Sequence, residues 1–329
     1  MDGVILNKVF KIVKKFYTDI RYYSFQLALI HLGETASRYT KFNLAGKYYL
    51  KKDQIVLDYL RKRYTNNHEH KIVGLKKISQ PIWIFWYQGE EQMPKIVSAC
   101  LKSVRTHANG HEVVVISKKN IDSYINIPDI IKRRVDSKQI SMAQYSDILR
   151  MCLLAAYGGL WIDSTVFVTK IIPQYMFELP LFTIKNNPNE ADPLYFISVS
   201  HLRWTTYVMG GRPNHALFEY VRNLLIDYNS SEHALIDYLL IDYAIELAFE
   251  NIPSVSEDML RVPITNQLKE ELIHRLFSDY PDSRTSELLR SNTIFFKLSY
   301  KKDAPKVIEK SNYRLLIDGD LCQAYNVED

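Results

Sequence analysis

Glycine and cysteine are both scarce in this chain, with 11 glycines and 3 cysteines among 329 residues. Cys100, Cys152 and Cys322 are odd in number, far apart, and never in a CxxC pair. That excludes a disulfide framework and the usual ligand spacing of a structural zinc site, and it fits a reducing compartment. Cys100 and Cys152 sit among apolar residues at helical spacing and read as core. Long hydrophobic runs are missing as well. None approaches the roughly 18 apolar residues that crossing a bilayer requires. The most apolar window, 148–162, is interrupted by Arg150 and by Gly158-Gly159. The N-terminus has neither the continuous apolar stretch nor the small-residue cleavage site of a secretory signal. No internal repeat or low-complexity tract is visible.

What is present is enough for a packed core. The chain is 47% hydrophobic and 24% charged, which excludes wholesale disorder. Its length suits one large α/β domain, or one domain with an added terminal piece. Tyrosine is frequent at 23 residues; its flat apolar ring with a polar tip suits sugar and membrane-interface surfaces as well as ordinary cores.

Charge is uneven. Residues 1–80 hold 16 Lys and Arg against 6 Asp and Glu, a net of +10, whereas the whole chain is +5, so residues 81–329 carry −5. Val4, Leu6, Val9, Phe10, Val13, Phe16 and Ile20 recur at helical spacing, with Lys8, Lys11, Lys14 and Lys15 between them. This is an amphipathic basic helix. It can lie on an anionic membrane surface or pack on its own protein. Nothing beside it reads as a nucleic-acid recognition module, so nucleic acid is not an expected partner. A second helix is expected over 54–64, and 65–70 reads as a linker. The chain thus divides into a helical basic N-terminal extension, 1–79, and a body, 80–329.

The body opens with Ile82–Tyr87, a short apolar run that reads as a buried strand. Pro94 then starts a helix, with Ile96, Val97, Cys100, Leu101 and Val104 at helical spacing. A second buried strand spans 112–117, and another helix begins near Lys118. This alternation predicts an α/β fold, a Rossmann-like, mostly parallel sheet with helices on both faces. Ligands of such sheets bind beyond the carboxyl ends of the strands, the position Trp86, Gln88 and Gly89 occupy after the first strand. A helix over 141–157 is stopped by Gly158-Gly159, and an apolar strand is expected over 160–168. Two more helices are expected, over 214–228 and 234–249.

Asp147 and Arg150 are three apart on the 141–157 helix and share a face. On so apolar a helix, the pair is either a structural ion pair or faces a ligand. Asp163 lies inside an apolar strand, where a carboxylate is costly to bury alone. A metal ion, a nearby arginine, or a strand end open to a cleft would each explain it. Mg²⁺ or Mn²⁺ prefers oxygen ligands and bridges phosphates, which suits a diphosphate donor.

Here the sequence resembles a family. Tyr145-Ser146-Asp147-Ile148-Leu149-Arg150, followed by Tyr157-Gly158-Gly159-Leu160-Trp161-Ile162-Asp163, is similar to the nucleotide-sugar site of bacterial capsular polysaccharide synthesis transferases. These are relatives of glycosyltransferase family 32 and of the sugar-transferring clostridial toxins. The likeness begins at Ile82–Gly89 with Pro94, includes Ser103, and reappears at Lys297-Leu298-Ser299-Tyr300-Lys301; residues 1–80 carry no matching motif. The resemblance implies a GT-A fold and retaining transfer of a hexose from a nucleotide-sugar, UDP-linked. The acceptor would be a lipid-linked oligosaccharide, at the cytoplasmic face of the bacterial membrane. It implies that Asp147 and Arg150 touch the donor's ribose and sugar, with Trp86, Gln88 and Gly159 as further donor-binding candidates. Asp163 would begin a DxD-type motif and hold Mn²⁺ or Mg²⁺ together with Thr165, which stands where the second aspartate is usual. A further acidic residue would complete the shell: Asp237, as a second catalytic carboxylate beside Asp163, is favoured over Asp242. His201 and His215 are weaker ligand candidates. The threonine leaves open a non-catalytic glycan- or nucleotide-sugar-binding protein, and the basic N-terminal region leaves open a peripheral membrane scaffold.

Overall fold

A computed structural model describes residues 2–37, 45–65, 68–189, 192, 195–301 and 309–327. Three helices come first: α1 (Asp2–Tyr22), α2 (Phe25–Ser37) and α3 (Ala45–Tyr64). The body follows with β1 (Ile82–Phe85), α4 (Lys95–Thr106), β2 (Val113–Ile116), α5 (Asp129–Asp136), α6 (Met142–Tyr157), β3 (Gly159–Ile162) and β4 (Val166–Val168). Next are α7 (Tyr175–Glu178), β5 (Leu181–Thr183), β6 (Val208–Gly211), α8 (Ala216–Ser231), α9 (Leu240–Asn251) and α10 (Pro253–Arg261). The last elements are α11 (Ser283–Arg290), β7 (Phe295–Lys297), α12 (Asn312–Asp318) and α13 (Leu321–Ala324).

The main sheet has five strands in the order β2-β1-β3-β6-β5. β1 pairs in parallel with β2 and β3, while β6 runs antiparallel to both β3 and β5. Four strands therefore point one way, and the α/β, mostly parallel architecture expected from the sequence is what forms. β1 and β3 read as continuous apolar runs because both their faces are covered. Trp83, Phe85 and Trp161 pack into a core with α5, α6, α8 and α9. Ile82, Ile84, Leu160 and Ile162 pack on the other face against α4, β4 and α7. The strand order makes β1 the point where the chain reverses its direction of travel across the sheet. There the crossovers diverge and leave a crevice at the carboxyl ends of β1 and β3.

The helix expected over 141–157 forms as α6. Ser141 caps it, accepting from the Gln144 amide while Gln144 bonds back to the Ser141 amide. Gly158 ends it at φ 65°, and Gly159 follows at φ 83°. Glycine is required at both positions: a Cβ on Gly159 would overlap the Pro81 carbonyl, and one on Gly158 the Gly211 carbonyl.

Three expectations change. The strand expected over 160–168 is two strands in different sheets, because the chain turns at Asp163-Ser164-Thr165 and β4 pairs with β7. The helix expected near Lys118 is a single short turn at Ile121–Ser123, with α5 after it. The helix expected over 234–249 begins only at Leu240, so Asp237 lies in the loop before it.

The N-terminal helices share the main core: Leu27, Val56, Leu60 and Tyr64 belong with the side chains of α6, α8 and α9. A buried charge network fixes them to the loop before α9. Lys15 donates to the carbonyls of Leu235 and Ile236 at 3.2 and 2.8 Å and to Asp19 at 2.7 Å. His31 bridges Asp19 at 2.8 Å and Asp237 at 3.4 Å, and Lys52 approaches Asp237 at 3.1 Å and Glu34 at 3.4 Å. Burial opposes a charge on His31, yet its bonds to Asp19 and Asp237 prevail and raise its pKa above the ordinary 6.5. Among the described residues, no helix is long and apolar enough to cross a membrane.

The raised His31 value fixes a direction with pH. Its contribution to stability is full below the unfolded pKa of 6.5 and is lost as pH rises through the higher folded value. Thermal unfolding followed by circular dichroism between about pH 6 and pH 8.5 is expected to show Tm falling with pH in the wild type, and a shallower fall in His31→Gln.

Candidate active site

The crevice at the switch point is a cavity of about 560 Å³. Phe85–Gln88 at the end of β1 and beyond it, Asp163–Thr165 after β3 and Lys297–Lys301 from β7 onward line it, with Ser146, Trp161 and Tyr238. This volume suits a ligand of cofactor size. A smaller cavity of about 170 Å³ adjoins it through Ser146, Asp163 and Tyr238, and adds Asp147, Arg150 and Asp242.

Arg150 is the centre of the charge arrangement. Its guanidinium, buried on α6, donates to Asp147 at 2.8 Å and to Asp163 at 3.0 Å. It lies over the Trp161 ring, 5.0 Å from the centroid. Trp161 Nε1 donates to the same Asp163 oxygen at 2.9 Å, and Lys297 Nζ donates to the other at 2.6 Å. The β4–β7 ladder explains the lysine: Val166 faces Lys297, which brings the ammonium beside the turn that carries Asp163. Asp163 is thus explained by an arginine and by an open strand end together, both alternatives the sequence allowed. Burial opposes its charge, but Lys297 and Arg150 win and lower its pKa to about 2.

One guanidinium cannot keep three neighbouring carboxylates ionised. Burial pushes Asp147 up to about 7, with Arg150 lowering it and Asp163 and Asp242 raising it further. Burial also pushes Asp242 up to about 6, although Trp204 Nε1 donates to it at 3.0 Å and Arg150 favours its charge. Arg150 Nε is buried and has no hydrogen-bond partner among the described residues.

The structure therefore gathers Trp86, Gln88, Asp163 and Thr165 around the larger cavity, and Asp147 and Arg150 around the smaller one. Gly159 does not join them. It opens β3 at the end opposite Asp163, where its lack of a side chain serves the contact with Pro81. Asp237 does not join them either; His31, Lys52 and the Leu239 amide hold its carboxylate on the N-terminal side. Asp242 reaches the cavity instead, because α9 starts later than the apolar spacing suggested. His215 caps α8 and pairs with Asp258 at 3.2 Å, and His201 stacks on Tyr195. Ser103 accepts from the Val168 amide at 3.0 Å and so ties α4 to β4. Sequence reasoning missed Lys297 as the partner of Asp163, although the 297–301 motif contains it, and missed Tyr238 altogether.

The surroundings of Asp163 do not fit a ready-made site for Mn²⁺ or Mg²⁺. Both carboxylate oxygens accept from N–H groups, two of them on cations, and Thr165 offers only a hydroxyl. Among the described residues, no three His, Cys, Asp or Glu side chains gather in a way that could hold a metal ion.

Fold and crevice together define an α/β protein with a polar ligand site at a topological switch point. The chain belongs to the family of capsular polysaccharide synthesis proteins, whose sequence model matches residues 36–316. The match enters the N-terminal helical region. No curated protein matches the chain in sequence. Among solved structures, the chain is similar to one titled "PaToxG Glycosyltransferase", with a TM-score of 0.40, 12% identity, and coverage of 86% of this chain and 96% of that one.

Removing Arg150 strands the carboxylates it serves. Arg150→Met is expected to destabilise the protein by about 3 kcal/mol, measured by urea unfolding, since breaking a buried pair leaves a charge uncompensated. Arg150→Met with Asp147→Asn should cost less than the sum of the two single changes.

Proposed function

We propose that this protein is a sugar transferase of capsular polysaccharide synthesis. It moves a hexose from a nucleotide-sugar, UDP-linked, to a lipid-linked oligosaccharide, with retention at the anomeric carbon. The observation that carries the reading is the switch-point crevice, which sets the Asp147–Arg150–Asp163 cluster beside Lys297, Lys301 and Trp86. Family membership supports a place in capsule synthesis, and the motifs in 145–163 support the transferase chemistry of family 32 and its DxD-type site.

In this reading Trp86, Tyr87 and Gln88 receive the nucleoside, and Asp147 and Arg150 receive ribose and sugar hydroxyls. The acceptor hydroxyl oxygen bonds to the anomeric carbon as that carbon's bond to the β-phosphate oxygen breaks. The electron pair leaves with the nucleoside diphosphate, which also takes the hydroxyl proton. Cationic donors fixed beside the leaving group favour this step, because they are aimed before charge develops.

The test is a screen of UDP-sugars by release of UDP, with and without Mn²⁺. Slow donor hydrolysis is expected of the wild type, and at least about 100-fold less of Asp163→Ala and Asp163→Asn. Wild type that consumes no nucleotide-sugar, or an Asp163→Ala protein as active as wild type, would sink the reading and leave a binding protein in its place.

The proposal also places the protein at the cytoplasmic membrane face. Phe10, Val13, Tyr17 and Ile20 form an exposed stripe along α1, with Phe10 and Tyr17 67% and 68% exposed and Lys11, Lys14 and Arg21 exposed as well. An apolar stripe edged by cations suits an anionic headgroup layer. Flotation with vesicles of phosphatidylcholine, with and without phosphatidylglycerol, is expected to show binding only to the latter. Phe10→Ser with Tyr17→Ser should abolish it.

A further inference from the structure

The larger cavity has an unusual charge pattern for a site meant to receive a divalent cation. Among its described lining residues Asp163 is the sole carboxylate, against two ammonium groups, Lys297 and Lys301. Asp163 is itself neutralised on both oxygens, by Lys297 on one and by Arg150 and Trp161 on the other. Apart from Gln88 and the indoles of Trp86 and Trp161, the remaining polar wall is hydroxyl-bearing, with Ser146, Thr165 and Ser299 among it. Such a wall attracts an anion. A divalent ion at Asp163 would have to displace an ammonium held at 2.6 Å and then sit against its positive charge.

Lys297 is placed to do more than balance Asp163. The β4–β7 ladder fixes its backbone, and the Tyr207 ring lies below its Nζ, 5.1 Å from the centroid. Its side chain is 28% exposed toward the cavity. An ammonium carries three N–H donors, and the bond to Asp163 uses one. The others are available to oxygens that enter from the cavity. Asp163 then acts as a positioning residue, holding the ammonium where a diphosphate would lie.

We propose that Lys297, assisted by Lys301, neutralises the donor diphosphate directly, so that the protein binds a nucleoside diphosphate without a divalent ion. This rests on the transferase reading above for the identity of the ligand. The lysine supplies at this position the positive charge that a metal supplies elsewhere, and with Thr165 in place of a carboxylate no second acid lines the larger cavity beside Asp163 among the described residues. Lysine binds phosphate as a point charge and needs no fixed coordination geometry.

Isothermal titration calorimetry of the full chain with UDP and GDP, once in EDTA and once in Mn²⁺, tests this. The wild type is expected to bind one of them in EDTA, with Mn²⁺ changing the affinity by less than about threefold, under the tenfold that 1.4 kcal/mol represents. Lys297→Met should weaken diphosphate binding in EDTA by about 30-fold or more, the loss of a charge-assisted contact. Lys297→Arg should retain most of it, and Lys301→Met should lose only a few-fold. Uridine, which has no phosphate, should bind wild type and Lys297→Met alike. Thermal unfolding shows whether each variant is folded; if Lys297→Met is not, Lys297→Arg, Lys301→Met and the EDTA comparison decide. Binding that needs Mn²⁺ overturns the proposal and leaves the transferase reading standing. Undiminished binding by Lys297→Met does the same. If neither diphosphate binds with or without Mn²⁺, both fall.

Discussion

A guanidinium held inside a packed α/β core needs carboxylates within reach, and here that need organises the crevice. Arg150 comes from a largely apolar helix, α6, and its neighbours Ile148, Leu149, Met151 and Leu153 are fully buried. Its charge is tolerable because Asp147 stands one turn away and Asp163 emerges from the adjacent strand. Trp161 completes the arrangement by lying beneath the guanidinium while donating to Asp163. The cost is shifted onto the acids: Asp147 and Asp242 are driven toward neutrality, while Asp163, with a second cation, stays firmly ionised. Carboxyls with such different affinities for protons, in one small cavity, are a marker of sites that handle ligands rather than only support a fold.

Much of this could be read from local sequence, since several determinants are local. The apolar runs at 82–87 and 112–117 have one stable use, a strand buried on both faces, and Gly158 stops α6 because no other residue tolerates its backbone. The motif that holds Asp147, Arg150 and Asp163 is short enough to recognise by spacing. What could not be read was decided by partners far along the chain. The turn at 163–165 looked like continuous strand because apolar residues flank it on both sides, and only β7, about 130 residues on, shows that β4 belongs to another sheet. The sequence places Asp237 and Asp242 on a single helix and favours Asp237 for the site. The real start of α9 separates them and hands Asp237 to the N-terminal helices.

The N-terminal helices bear on the crevice through that separation. Lys15 holds the carbonyls at 235 and 236, and His31 and Lys52 hold Asp237. The next residues, Tyr238 and Leu239, line the cavities. Tyr238 is 72% exposed and gains little from packing, so its position is set by the anchored residue before it. A layer that looks like an appendage in sequence thus sets one wall of the ligand site, and its outward stripe of Phe10, Val13 and Tyr17 lies on the same α1 that carries Lys15.

The pairing of β4 with β7 also orders the protein in time. A chain emerging from the ribosome can form β1, α4, β2, α6 and β3 from contacts close in sequence, and nascent chains generally fold in this N-to-C direction. Until residue 297 emerges, β4 lacks its partner strand and Asp163 has only Arg150 as a cation. The crevice therefore acquires its full charge pattern only after residue 297 has emerged. An incomplete chain would carry the recognisable motif without the site that the motif announces.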